Sequence, residues 1–417
     1  MNRVRALPTT AALAAIALGM ASQSAFAQFA CSASQTATVT ASDAAANDVF
    51  GWRVSLFQDR GIIGAHANDD AGATSGSAYI FELSAGTWSQ AAKLTASDAA
   101  AGDHFGYAVD IWNDVAIVSA THHDDAATDA GCVYIFRKSS GSWSQEAILI
   151  GSDADTQEYS GEHVAIWNDM AFFTARDDSN GAAAGAVYIF RYASGSWSQL
   201  TKLVSSDIAA GDAFGSSIDI HDDRLIVGAV SEDTPNSGTG SAYVFKWNGS
   251  SWSQEAKLVA PSGYNGANMQ FGYAVAIYDD VAAVSSQNNQ SVLLYRRSGT
   301  AWSFEDIVTS PNFASGAQFG LSVDLEQNLL LVGAPWEDFV ATNAGAAYVF
   351  LEDGGVWTDT ATLVPSGATT GHRVGHSVSL SGGLALVSAI YGDDGVTDGG
   401  ASYFFEVTCT GGSCPED

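Results

Sequence analysis

The sequence predicts an all-β protein, a seven-bladed β-propeller of four-stranded blades whose ring is closed by an N-terminal strand completing the last blade. Three observations carry this reading. A Phe-Gly landmark recurs along the chain, each copy opens four short strand-like segments, and one further segment of the fourth kind stands alone ahead of the first landmark.

The landmark falls at Phe50-Gly51, Phe105-Gly106, Phe214-Gly215, Phe271-Gly272 and Phe319-Gly320, with drifted copies at Ser160-Gly161 and Val374-Gly375, in steps of 48 to 57 residues. Fixed-period self-similarity of this length marks a repeat architecture. The unit around Phe105 shows the elements in order. "YAVDIW" (Tyr107–Trp112) alternates, and Asn113-Asp114 makes a tight polar turn. "VAIVSA" (Val115–Ala120) is a short apolar run, and an acidic loop leads to "CVYIFR" (Cys132–Arg137). A Ser/Gly turn leads to "WSQEAILI" (Trp143–Ile150). These are four strands rich in Val, Ile, Tyr and Phe, bounded by turn residues. Seven such units make a propeller. Blades stacked face to face bury both sides of each sheet, which accounts for strands that are nearly continuous in apolar residues.

The same geometry explains a recurring tryptophan. Neighbouring blades diverge with distance from the axis, so the outermost strand needs a large side chain. Trp88, Trp143, Trp197, Trp252, Trp302 and Trp357 hold that position in six units.

The seventh unit has no following tryptophan strand. "SQTATVTASDAAANDVFG" (Ser34–Gly51) instead aligns with "SQAAKLTASDAAAGDHFG" (Ser89–Gly106), which makes Thr36–Thr40 a fourth strand lacking its first three. It should complete the blade made by Val374–Thr408 and leave no open sheet edge. By the same alignment Cys31 corresponds to Gly86 and Cys409 to Ala85, neighbours in a hairpin turn that the closing blade lacks. A Cys31–Cys409 disulfide would replace that turn; Cys409–Cys414 and Cys31–Cys414 are the rival pairings. Cys132, inside a third strand, reads as a buried free thiol.

Residues 1–27 read as a signal peptide. Arg3 and Arg5 precede the apolar run Ala11–Met20, and Ala25-Phe26-Ala27 fits the small-x-small cleavage rule. The expected domains are then this leader, a propeller over 28–408 and a short tail over 409–417. No other run is long enough to span a membrane. Export would permit disulfides. The 417-residue chain carries 46 acidic against 16 basic side chains, a formal charge of −30. That balance excludes a basic nucleic-acid footprint and favours cations or basic partners. At 47% hydrophobic and 11% aromatic residues, disorder is not expected.

Phe-Gly followed by Gly333-Ala334-Pro335 and "GAAYVF" (Gly345–Phe350) resembles the FG-GAP repeat, with related forms at Gly64–His66, Ser119–Thr121 and Gly228–Val230. The chain looks like a bacterial secreted FG-GAP repeat protein, similar in architecture to the propeller of integrin α subunits. The resemblance implies adhesion or ligand binding, with calcium as the cofactor. One departure stands out: the integrin-type calcium loop would lie between first and second strands, where this chain has only short turns such as Asn113-Asp114, Asn168-Asp169, Asp222-Asp223 and Asp279-Asp280.

Alternating strand direction places the loops after second strands and the interblade loops on one face, and both sets are acidic. The former carry Asp69-Asp70, Asp124-Asp125, Asp177-Asp178, Glu232-Asp233, Glu337-Asp338 and Asp393-Asp394. The latter carry Asp43, Asp48, Asp98, Asp103, Asp153, Asp207 and Asp212. Oxygen-rich flexible loops suit calcium, and the candidate ligands are Asp69, Asp70, Asp124, Asp125, Asp177, Asp178, Asp233, Asp338, Asp393 and Asp394. The competing reading makes these side chains caps of their own turns. His104, His122, His123 and His163, with Asp124, are a second set of candidate metal ligands, although adjacent histidines follow no standard metal spacing. Blade three departs from the pattern at Ser160, Glu162 and His163. The blade-five loop Ser285–Gln290 carries no acid. Asn248-Gly249-Ser250 and Asn289-Gln290-Ser291 read as turn chemistry.

No nucleophile elbow, zinc-protease helix or phosphate loop is present. Carboxylate pairs recur with the repeat, whereas a catalytic site breaks symmetry. The expected function is a secreted, non-enzymatic binding or adhesion propeller with a protein or glycan ligand at the acidic face. The alternatives are a polysaccharide hydrolase or lyase and a structural matrix component.

Overall fold

Short apolar strands separated by polar turns leave the chain no helical alternative. The computed structural model describes residues 30–176, 183–312 and 316–410; apart from one 3-10 turn at Gln287–Asn289 its regular elements are strands. The expected leader, residues 1–27, lies outside the described residues.

The strands form seven antiparallel four-stranded sheets. Blade 1 consists of Val54–Phe57, Arg60–Ala65, Ser77–Ser84 and Thr87–Leu94. Blades 2 to 6 repeat this order through residues 105–149, 164–203, 214–258, 271–309 and 323–363. First strands touch one another in a closed cycle around the axis. The sequence reading of a closed seven-bladed ring therefore holds.

Blade 7 combines Val374–Ser381, Leu384–Ala389 and Ala401–Thr410 with the N-terminal strand Ala30–Val39. In blade 1, the fourth strand bulges opposite Ile80 and Phe81, so that Ala91 is left without a partner. The N-terminal strand bulges at Thr36 against Phe404 and Phe405. A bulge is a specific local feature. Its recurrence shows that the N-terminal strand sits in the register of a true fourth strand. Cys31 lies opposite Cys409 and is bonded to it, so the two pairings through Cys414 are excluded. Cys132 is a buried free thiol.

The apolar cores lie between blades. Each of the seven clusters draws its side chains from two neighbouring sheets. The six recurring tryptophans each join the core shared with the preceding blade; Trp88, for example, stacks on Phe404 at 3.7 Å. In the seventh core Ala33 and Cys409 pack beside buried Cys31. The disulfide thus stands where a tryptophan closes the other six seams.

Blade 3 compensates internally for its drift. In blades 1, 2, 4, 5 and 6 the landmark phenylalanine packs against third-strand aromatics, mostly edge-on, as Phe105 does with Tyr134 and Phe136. In blade 3 the landmark is Ser160, and Phe173, where blade 2 has Val118, supplies the ring against Tyr188 and Phe190. Volume is conserved by exchanging positions across the seam.

Candidate functional site in the axial channel

Because strand residues alternate between faces, one position in each first strand points into the axis. Around the ring those residues are Ser55, Asp110, Ala165, Asp219, Ala276, Asp324 and Ser379. Aspartates therefore occur in every second blade. Each uses both carboxylate oxygens as a latch. One oxygen accepts the next amide of its own strand, and the other accepts an amide of the following blade. Ile166 N–H donates to Asp110 at 2.7 Å, Ile277 to Asp219 at 2.7 Å and Leu380 to Asp324 at 2.6 Å. Ser379 continues the ring by accepting from Leu56 N–H.

These three carboxylates line a cavity of about 700 Å³ that opens on the short-turn face. Burial pushes Asp110 up to about 6 and Asp324 up to about 7. Burial, and then the Asp324 charge, push Asp219 well above the usual carboxylate range.

The mouth of this cavity is formed by the last residue of each first strand: Phe57, Trp112, Trp167, His221, Tyr278, Glu326 and Ser381. Successive ring centroids lie 6.0, 5.9, 5.3 and 4.0 Å apart from Phe57 to Tyr278. An aromatic collar thus spans five blades, and Glu326, Gln58 and Gln327 add polar groups to the wall. The repeat pattern gives no prominence to this site. Its signal was present in the aromatic residue ending "VSLF", "VDIW", "VAIW", "IDIH" and "VAIY".

At the opposite mouth a second cavity of about 460 Å³ is lined by Arg53, Tyr107, Glu162, His163, Arg176 and Tyr273. A row of rings crosses the loop face beside it: His376, Trp52, His66, His104, His122 and Tyr159, at spacings of 4.6 to 5.4 Å. Burial, with the Arg53 guanidinium adding to it, pushes His66, His163 and His376 down to about 3.

The two buried sets oppose one another in pH. The unfolded chain protonates its histidines near 6.5, whereas these three resist protonation to about 3, so their contribution is lost as pH falls through that window. The folded aspartates keep protons that unfolded ones release near 3.8, so their contribution is present in acid and lost as pH rises through 6 to 7. Asp324→Asn isolates the second effect. Relative to this variant, the wild type should lose stability between pH 4 and pH 8 in urea titrations. A pH-independent difference would show that Asp324 does not titrate in this range.

The acidic loop residues are used in three ways. One acid of each described pair caps its own loop: Asp69, Asp124, Asp233, Asp338 and Asp393 accept the backbone N–H five residues on. The other acid reaches outward: Asp70 pairs with Lys93, Asp125 lies beside His123, Glu232 pairs with Lys257, Glu337 accepts the Ser310 hydroxyl, and Asp394 accepts the Tyr403 hydroxyl. Interblade acids anchor third-strand tyrosines, as Asp43, Asp98, Asp153 and Asp207 do for Tyr79, Tyr134, Tyr188 and Tyr243. Asp177 and Asp178 lie outside the described residues. Among the described residues, the groups in which three ligand atoms converge are Asp98–His123–Asp125 and His221–Asp222–Asp279. Among the described residues, each of these two groups includes a histidine, so neither is made of carboxylates alone. The expected histidine set is divided: His104 and His122 stack in the row, His163 lines the second cavity, and His123 faces Asp103 and Asp125. Asn248 accepts the Ser250 and Ser251 amides, which is turn chemistry.

The chain is similar in fold to two solved structures, "Structure of U3-55K" and "Crystal structure of RRP9 WD40 repeats". Each is 10% identical with a TM-score of 0.54, and the alignments cover 88% and 89% of this chain and 97% of those chains. At that identity the likeness concerns the fold alone. No curated protein matches the sequence. The FG-GAP repeat profile matches seven times, over residues 33–81, 88–136, 143–190, 197–245, 252–301, 302–350 and 357–405. Each match begins in the fourth strand of one blade; six end in the third strand of the next, and the match over 252–301 runs on to the first residue of the following fourth strand. With almost every described strand inside one of those matches, the chain belongs to the FG-GAP repeat family.

Proposed function

We propose that this protein is a non-catalytic binding propeller, exported from the cell, that takes the end of a glycan into the axial cavity on its short-turn face. The observation that supports it is the aromatic collar above polar walls. Its volume, about 700 Å³, suits one or a few sugar residues rather than a protein surface. Rings present apolar faces for the C–H surface of a sugar. Glu326, Gln58, Gln327 and the channel aspartates offer acceptors for hydroxyl groups. The loop face suits this role less well, because its carboxylates are taken up by turns, tyrosines and lysines.

Titration of neutral and acidic oligosaccharides against intrinsic tryptophan fluorescence tests the proposal. Trp112→Ala and Trp167→Ala should each weaken binding at least tenfold, while Tyr107→Ala at the opposite mouth should leave it unchanged. Binding that survives both tryptophan changes would refute it. The raised carboxylates favour one competing reading, a hydrolase. It requires glycan turnover that Asp219→Asn abolishes with binding retained. The engagement of both oxygens of Asp219 by backbone amides argues for a structural latch instead.

A further inference from the structure

Four blades carry the same arrangement of interblade acid and third-strand tyrosine, and three of them add a lysine from the fourth strand. In blade 1, Lys93 Nζ lies 2.7 Å from Asp43, contacts Asp70 and lies 3.4 Å from Asn68 Oδ1. In blade 4, Lys257 lies 2.7 Å from Asp207 and 2.9 Å from Glu232. In blade 3, Lys202 lies 2.7 Å from Asp153. The ammonium in each case ties the interblade loop to the blade behind it. Burial works against the charge of Lys93, but the hydrogen bonds to Asp43 and Asp70 outweigh it and raise its pKa.

Blade 2 keeps the acids and lacks the cation. Asp98, Asp103 and Asp125 correspond to Asp43, Asp48 and Asp70, but the lysine position is Ile148 and the Asn68 position is His123. Among the described residues no lysine or arginine pairs with these three acids. His123 is 5% exposed. Its Nδ1 lies 3.4 Å from Asp103 Oδ2 and its Nε2 has no hydrogen-bonding partner of acceptable geometry. That Nε2 is nevertheless aimed at two carboxylate oxygens, Asp125 Oδ2 at 3.1 Å and Asp98 Oδ2 at 3.9 Å. The other Asp98 oxygen accepts the Tyr134 hydroxyl. An imidazole donating Nδ1–H to one carboxylate presents a lone pair at Nε2, and here that lone pair faces two anions. A cation placed there would balance both carboxylates and engage that lone pair.

We propose that Asp98, His123 and Asp125 bind a first-row transition ion of the zinc type, which does in blade 2 what the lysine ammonium does in blades 1, 3 and 4. The three ligand atoms lie within 4.8 Å of one another, compatible with one ion. A nitrogen donor with two carboxylates suits zinc and its neighbours better than calcium, and water would complete the shell. Asp103 is the outer carboxylate that fixes the tautomer and orientation of the imidazole, and Tyr134 orients Asp98 in the same way.

The test uses untagged, chelator-stripped protein and two probes, zinc by calorimetry and cobalt by visible absorption. The wild type should take one equivalent at this site and melt at a higher temperature with zinc. His123→Asn, which installs the blade 1 residue, and Ile148→Lys, which installs the missing ammonium, should each weaken binding at least tenfold. Ile148→Lys should also remove the zinc effect on melting. His221→Asn, in the other histidine cluster, should leave the tight equivalent in place. No binding by the wild type, or binding untouched by His123→Asn and Ile148→Lys but lost in His221→Asn, would overturn the proposal. Should either variant fail to fold, wild-type crystals soaked in zinc decide: anomalous density between Asp98, His123 and Asp125 supports the site, and density elsewhere alone refutes it.

Discussion

Cys31→Ser protein unfolds at a lower urea concentration than the wild type, with a loss of roughly 2–5 kcal/mol. The bond joins positions 378 residues apart, so it restrains almost the whole unfolded chain, and long loops give the larger effects. It also occupies the one seam between blades that has no tryptophan. The N-terminal strand keeps its backbone pairing with Ala401–Thr410 when the bond is gone, so a weakened ring is expected rather than an unfolded one. Reductant should bring the wild type to the midpoint of the variant and leave the variant unmoved. Cys409→Ser should match Cys31→Ser, and the double variant should add nothing further. Equal midpoints for wild type and variant would show that the ring closes without help from the disulfide.

Gly240→Ala is expected to be more damaging per atom added than any surface change. Gly240 sits at φ +83, and a Cβ there would lie 2.0 Å from the Phe271 carbonyl oxygen of the next blade. That oxygen and the Phe271 amide nitrogen, 2.8 Å away, are backbone, so neither can rotate away. The expected cost exceeds about 3 kcal/mol, beyond the ordinary range for point changes, and soluble yield should fall with it. Gly249→Ala supplies the control. Its φ is +94 but nothing lies within 4 Å, so only the left-handed strain of about 1–2 kcal/mol applies. Equal destabilisation of the two variants would mean that the seam between blades yields to the extra atom.

Most of the architecture was legible because it repeats. Five copies of Phe-Gly with two drifted ones, and the alignment of Ser34–Gly51 with Ser89–Gly106, carry blade number, closure and the Cys31–Cys409 pair. The site was harder to see because it is made by departures from the repeat. Trp112 and Trp167 look like ordinary strand residues until the ring brings successive strand ends together. Asp110, Asp219 and Asp324 stand in every second copy, and a comparison that looks for what all copies share passes over them. Acid pairs such as Asp69-Asp70 drew attention through frequency, yet frequency followed from turn capping. The exchange of Phe173 for the missing ring at Ser160 could be recognised only in three dimensions, since those positions are paired by packing and not by spacing.

The covalent link between neighbouring antiparallel strands also decides how the molecule bears tension. A pull applied at both ends, through Ala30 and Thr410, meets the Cys31–Cys409 bond one residue in from each. Force is transmitted across that single crosslink, and the other six blades remain slack. A ligand held in the axial mouth would therefore feel no distortion of its pocket from strain along the main chain.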